Sequence, residues 1–337
     1  LLALLAAVLF GISTPLVQRL GIGVGTFCTA ALLYAGAALI GALLRQPVAL
    51  EARVQRGDTT RIALMALFGA VIGPVALVWG LQRTSGASAS LMLTLEAVFT
   101  AVLARLWYHE TFDRRVAVAM LLLTLGGMAL VLDRAEFGAS ATVGLLAVML
   151  ATAAWGVDNS LSRGLAQRDP GQVVMYKGAL GAATTALLAL AFGESLPGLW
   201  PALALLVVGA TGYGLSLRLY LLAQPAFGAA RTGSVFAFAP FVGALLAVAL
   251  GERSGSAWML AAAVLMVTGI ALHLAERHAH EHDHQALQHE HAHSHDDGHH
   301  THSHDPMPAG THSHLHSHEV MRHVHPHVPD EHHAHTH

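Results

Sequence analysis

The chain has 337 residues, 54% of them hydrophobic and only 12% charged, with a net charge of −3 when histidine is neutral. These proportions exclude an ordinary water-soluble globule, make the lipid bilayer the first expected partner, and give no reason to expect a nucleic-acid partner. The single cysteine, Cys28, falls in an apolar stretch, so disulfides and cysteine metal sites are excluded.

Taken in chain order, the apolar runs predict spans near residues 1–20, 25–45, 62–82, 86–106, 116–133, 142–163, 173–192, 200–223, 228–250 and 256–275. Each approaches the ~20 residues that a spanning helix needs. Residues 1–10 look like the apolar core of a signal peptide, but no basic stretch precedes them. The polar Ser13-Thr14 step also runs on into more helix instead of a cleavage site. We read this stretch as a first span, clipped at its start.

The ten runs divide into two copies of a five-run unit, 1–133 and 142–275. The first opens with Leu9-Phe10-Gly11-Ile12 and the second with Ala154-Trp155-Gly156-Val157; they close on Glu110 and Glu252. Five crossings is an odd number, so the expected fold is all-α, with ten transmembrane helices as two inverted five-helix repeats. Inverted repeats are how many secondary transporters build a site that opens to either side. Arginine placement sets the orientation. With a cytoplasmic N-terminus, eleven arginines (45, 53, 56, 61, 105, 114, 115, 163, 168, 231 and 277) fall on inner loops, and Arg19, Arg83, Arg134 and Arg253 on outer ones. This follows the positive-inside bias and puts both termini in the cytoplasm, in a bacterial inner (plasma) membrane.

Gly69 with Gly73, Gly178 with Gly181, and Gly209, Gly212 and Gly214 mark places where helix backbones can approach closely. Pro74 and Pro240 fall inside spans, where a proline removes a backbone hydrogen bond. Such breaks need neighbouring groups or a wet cavity to satisfy the freed carbonyls.

The paired openings, the paired glutamate ends and the five-plus-five layout resemble the EamA type of the drug/metabolite transporter superfamily. Ala239-Pro240-Phe241 to Leu250-Gly251-Glu252 fits the closing helix of that family's unit; Glu96-Ala97 and Tyr108-His109-Glu110 depart from it in the first copy. The resemblance implies a ten-helix carrier for small metabolites, amino acids or drug-like compounds, frequently moved outward. The sequence shows no nucleophile–base pair, phosphate loop or buried fixed metal set, so neither an enzymatic activity nor a required cofactor is expected, and self-association into a homodimer stays open.

Charged groups inside spans are expensive, roughly 2.5–3.5 kcal/mol each on insertion scales, so each needs a reason. The candidates for a substrate pathway are Glu96, Asp158, Asn159, Lys177 with its neighbour Tyr176, Arg218 between Tyr213 and Tyr220, and Trp155. Glu96 suits a proton or a substrate amine, and Arg218 suits a carboxylate or phosphate. The structural alternatives are a helix-end role for Asp158 and snorkelling to the interface for Lys177. Tyr34 and Trp79 are further cavity aromatics or packing residues, and Glu110 and Glu252 are loop-fixing carboxylates.

Residues 276–337 differ in kind. Twenty-three histidines are written in alternating units, and ten acidic residues face only Arg277 and Arg322, a net charge of −8. With so few apolar residues the tail is expected to be disordered. His-x-His pairs are candidate ligands for Zn, Ni, Co or Cu ions: His278, His280, His282, His284, His291, His293, His295, His302, His304, His312, His314, His316 and His318. The leading reading is a secondary-active exporter with a metal-binding cytoplasmic tail. The alternatives are a divalent-metal exporter fed by the tail, and a membrane-anchored metal store or sensor without transport.

Overall fold

The computed structural model describes residues 1–47, 50–108, 114–165, 168–227, 229–253, 255–274, 279–284, 287–293, 312–318 and 321–326. Helices α1 (Leu2–Leu20) and α2 (Thr26–Leu44) come first. A short 3-10 turn, Arg56–Asp58, then leads into α3 (Thr59–Met65), a π-helical segment (Ala66–Ile72) and α4 (Gly73–Leu81), which together make one rod. Helix α5 (Gly86–Met92) passes through a 3-10 turn at Leu93–Leu95 into α6 (Glu96–Tyr108). Next are α7 (Arg114–Ala135), α8 (Ala139–Ser162) and α9 (Pro170–Ala191). A second π-helical segment, Gly209–Leu215, joins α10 (Leu199–Val208) to α11 (Ser216–Phe227). The last helices are α12 (Ala229–Phe236), α13 (Ala239–Ala249) and α14 (Ala257–Leu274).

The starts and stops follow local chemistry. Ser85 accepts the Ser88 N–H at 3.1 Å to begin α5, and Asp169 accepts the Gly171 N–H at 2.8 Å ahead of Pro170 to begin α9. Gly138 and Gly193 turn the chain at φ +101° and +67°, angles that side-chain-bearing residues resist.

The fold is that of a multi-pass membrane protein, but the expected ten spanning helices are corrected to eight among the described residues. Eight rods are long and apolar enough: Leu2–Leu20, Thr26–Leu44, Arg56–Leu81, Gly86–Trp107, Arg114–Ala135, Ala139–Leu165, Pro170–Ala191 and Leu199–Ala223. The predicted ninth span is cut where Ala237 and Phe238 turn between α12 and α13. Pro240 sits in the first turn of α13 and has no N–H with which to continue the earlier helix. The apolar part of the final helix, Ala257–His273, is also short, its start fixed by Ser256, which accepts the Met259 N–H at 2.9 Å.

The tail, residues 276–337, is described in part. Its described residues lie in four short strands, β1 (Ala279–His284), β2 (Leu287–His293), β3 (His312–His318) and β4 (Met321–Pro326), paired antiparallel as β1 with β4 and β2 with β3. The period-two writing of this segment is the periodicity of a strand. The wholly α description therefore applies to the membrane part alone.

Glycines set the helix spacing. Helix α2 is clasped between α9 and the second π segment, with Gly178 against the Tyr34 and Ala38 backbone and Gly209 against that of Leu33. Helix α8 packs on α4 and α6, α1 on α11 and α13, and α7 runs along α14. The outer face of α7 is apolar and exposed at Leu121, Leu125, Met128 and Leu132, as a lipid-facing stripe must be. Of the pathway candidates, Glu96 lies on α6, Trp155, Asp158 and Asn159 on α8, Tyr176 and Lys177 on α9, Tyr213 in the second π segment, and Arg218 and Tyr220 on α11.

Candidate functional site

The site is organised around one backbone carbonyl. Through the first π segment the bonds run five residues back, and the Gly73 N–H donates to Phe68 O. The next residue in that register is Pro74, which has no N–H to give to Gly69 O. Two side chains from other helices supply what is missing: the Tyr34 hydroxyl of α2 and the Trp155 indole N–H of α8, the latter at 2.9 Å, both donate to Gly69 O. A Cβ at Gly69 would meet the Asp158 carboxylate, and one at Gly73 the Trp155 ring, so the GxxxG spacing is what lets α8 come this close.

One turn from Trp155 on α8, Asp158 forms an ion pair with Lys177 of α9. Each is about 4% exposed, so neither charge is screened by water. The second carboxylate oxygen, Asp158 Oδ1, is buried and has no hydrogen-bond partner. Asn159, next in the chain, donates its amide N–H to Glu96 Oε1 at 2.5 Å. Glu96 opens α6 immediately after the 3-10 turn, and it lies within electrostatic range of both Asp158 and Lys177. The Glu96–Asn159 pair is only half-buried, whereas Asp158–Lys177 is enclosed. Two carboxylates and one ammonium thus lie in one low-dielectric region, Asp158 paired with Lys177 and Glu96 with the Asn159 amide.

An aromatic wall completes the site. Phe10 stands edge-on to Trp155 and to Tyr213, both at 5.8 Å between centroids, and Tyr34 lies 5.6 Å from Tyr213. Phe236 joins Phe10 at 5.3 Å and Tyr220 at 5.1 Å. Seven helices (α1, α2, α6, α8, α9, α11 and α12) and the second π segment therefore contribute aromatic, amide, carboxylate and ammonium groups to one region.

The sequence-predicted residues divide clearly. Glu96, Asp158, Asn159, Lys177 and Trp155 come together, with Tyr213 and then Tyr220 reached through the ring contacts. Lys177 is enclosed instead of snorkelling to the interface. Tyr176 is 44% exposed and points away from the cluster. Arg218 makes none of the contacts of the cluster given above: its Nε is buried without a hydrogen-bond partner, and its charge bears on Glu51, in the connection after α2. Burial pushes the Glu51 carboxyl above its ordinary range, the Asp169 charge adds to that, and Arg218 opposes it. Glu252 is a structural carboxylate: it accepts the Ala87 N–H at 3.2 Å at the start of α5. Glu194, which sequence reasoning passed over, does the same for Phe27 and Cys28 at the start of α2, at 3.1 and 2.8 Å. Sequence reasoning also missed the role of Gly69, although a glycine five residues before a proline inside a span was a usable signal.

Glu110 and His109 lie outside the described residues, as do His278, His295, His302 and His304 of the tail. His280, His282, His284, His291, His293, His312, His314, His316 and His318 lie in the tail strands, described by their backbone. Among the described residues no three His, Cys, Asp or Glu side chains converge in a way that would hold a metal ion.

The sequence profile of the EamA-like transporter family matches residues 1–132 and again residues 142–275. The chain belongs to the EamA-like transporter family. This EamA-like protein is 28% identical over 232 residues to an uncharacterized transporter of Methanothermobacter thermautotrophicus, covering 65% of this chain and 66% of that relative. A protein of known crystal structure is similar to it with a TM-score of 0.56 and 21% identity, over 80% of this chain and 98% of the other. At that identity the likeness concerns the fold alone. The chain spans just under two thirds of the length of its Methanothermobacter relative, and membership of a transporter family gives no ground for an enzymatic reading.

Proposed function

We propose that this protein is a secondary-active carrier that exports a small metabolite, amino acid or drug-like compound, its solute passing Glu96, Asn159, Asp158 and Lys177. The observation that carries the reading is the meeting of two carboxylates, one amide and one ammonium from α6, α8 and α9 inside a bundle of apolar rods. Charges buried in a membrane interior are costly and cluster on solute or proton pathways. Glu96 is the more accessible carboxylate and serves as the group that takes a proton or a substrate amine. Trp155, Tyr213 and Tyr220 give the solute an aromatic wall. The two repeats, 1–133 and 142–275, act as the transport unit, both termini face the cytoplasm of a bacterial inner membrane, and residues 276–337 form a separate tail. Outward direction comes from the family resemblance, and orientation from the arginine distribution.

The tail is proposed to bind Zn, Ni, Co or Cu ions through its His-x-His pairs, as an accessory to transport and not as the conduit. Removal of residues 276–337 is expected to leave solute efflux intact while lowering the amount of metal bound by purified protein. The central test is a solute screen in proteoliposomes with Glu96→Gln alongside wild type. Gradient-dependent movement of at least one solute, lost in Glu96→Gln, supports the reading. Movement that is unaltered in the variant removes Glu96 from the pathway, and no movement of any solute under any gradient removes the carrier.

A further inference from the structure

The charges of the site do not balance, and the imbalance has a direction. Asp158 and Glu96 are two carboxylates beside one ammonium, that of Lys177, which pairs with Asp158 while Glu96 takes the neutral Asn159 amide. Buried carboxylate oxygens are ordinarily hydrogen-bonded, yet Asp158 Oδ1 is enclosed without a donor. The donors bonded around it go to other acceptors: Lys177 to Asp158 Oδ2, Tyr34 and Trp155 to Gly69 O, and Asn159 to Glu96. What the site lacks is a compact cation with several N–H donors, placed between the half-open Glu96 and the enclosed Asp158. Lysine's ε-ammonium is such a group on a flexible stem.

Resting on the carrier reading above, we propose that the solute bears an ammonium group and that Lys177 is its resident stand-in, paired with Asp158 while the carrier is empty. An incoming ammonium first meets Glu96, then takes the Asp158 carboxylate as the Lys177 side chain withdraws. On release, Lys177 returns, so that Asp158 is never left buried and uncompensated during the empty half of the cycle. Leaving a buried charge alone is the most expensive alternative. The Trp155 and Tyr213 faces suit the same class of solute, because aromatic rings attract ammonium groups electrostatically. Lys177 is thus a specificity-determining residue: it sets the affinity for cations by competing with them.

The test uses the purified full-length chain and three probes of similar size and different charge: n-butylammonium, butyramide and butyrate. Thermal unfolding and titration calorimetry report binding. Butylammonium is expected to bind and stabilise wild type while butyramide and butyrate do not. Lys177→Met is expected to bind butylammonium about tenfold tighter or more, and Asp158→Asn to lose the effect. If Lys177→Met does not fold unaided, its recovery as folded protein when purified with butylammonium, and not with butyramide, carries the same meaning. A merely structural ion pair is sealed from solutes and gives no such rescue. The proposal is overturned if no probe binds, if butyrate binds in place of butylammonium, if wild type and Lys177→Met bind equally, or if only the variant binds. The transport screen separates the two failures. Wild type that moves neutral or anionic solutes and no amine retains the carrier and loses the ammonium; wild type that moves nothing loses the carrier itself.

Discussion

Asp158 and Lys177 show how little a position along a span says about a side chain's surroundings. Both sit near one end of their helices, where a helix-end role and snorkelling were open to them; both are instead enclosed and paired. Removing one partner of such a pair costs roughly 3–5 kcal/mol, because the other charge stays buried. Asp158→Asn is therefore expected to lower the unfolding midpoint in detergent sharply. The double variant Asp158→Asn, Lys177→Met is expected to recover much of the loss. Strictly additive losses would mean the two residues are not coupled. Glu51 is a different case, outside the spans and with its carboxyl raised mainly by burial. A raised folded pKa means that the folded chain holds this proton more tightly than the unfolded one. Stability is then full below the ordinary glutamate value of about 4.3 and declines as pH rises from there through the folded value. Unfolding midpoints of wild type against pH should show that decline, and Glu51→Gln should flatten it. An equal slope in both would assign the decline to other carboxylates.

At the scale of elements, the first π segment and Pro74 make one device. The proline leaves Gly69 O without a backbone donor, and α2 and α8 each send one. Since either donor alone satisfies the carbonyl, Tyr34→Phe and Trp155→Phe should each cost about 1 kcal/mol. The double variant should cost more than the sum, because a buried carbonyl is then left unmade at roughly 1–3 kcal/mol. A thermodynamic cycle on unfolding free energies checks this, and additivity within error would remove the shared carbonyl as the link. This device also shows what the sequence made legible. Helix existence could be read from run length, and close approaches from Gly69, Gly73, Gly178 and Gly209, because both depend on local composition. That Pro74 needs outside donors was legible; that Tyr34 and Trp155 supply them was not, since it depends on which helices become neighbours. The same limit explains Arg218. In sequence it is as isolated in its span as Glu96, and only the fold brings its charge to bear on Glu51, in the connection after α2. The break before α13 was overestimated as a kink in one span, because a proline marks where a helix can stop without saying whether it resumes in line.

At the scale of the whole molecule, the contacts differ in kind from one region to another. Along α7 and α14 the contact is continuous, and it is fastened at one end by Ser256, just ahead of α14, donating to Asp133, whose other carboxylate oxygen pairs with its neighbour Arg134. Where α1, α4, α5 and α13 meet, the fastening is a handful of polar contacts around a cavity of about 510 Å³ lined by Gln18, Arg19, Ser85 and Glu252. Gln18 donates to Leu81 O at 3.2 Å and Thr84 O at 3.0 Å, Arg19 donates to Leu250 O, and Glu252 accepts from Ala87. Single hydrogen bonds of this sort contribute about 1 kcal/mol each, so this end can part at a cost that a bound solute's differential affinity can meet. The α7–α14 contact buries apolar surface along its whole length and has no comparable way to open. Carriers of the proposed type expose their site to each side in turn, so the two regions should respond differently to being tied. In a Cys28→Ser background, a short bifunctional thiol reagent joining cysteines at Gln18 and Thr84 is expected to stop solute movement in proteoliposomes. The same reagent joining cysteines at Met266 and Gly126, which face each other across α7 and α14, is expected to leave it running, provided the variant carrying both moves solute before reagent is added. Transport that survives the first tie would mean that the end closed by Gln18 and Glu252 stays shut throughout the cycle, and the solute would then need a route that does not pass between α1 and α5.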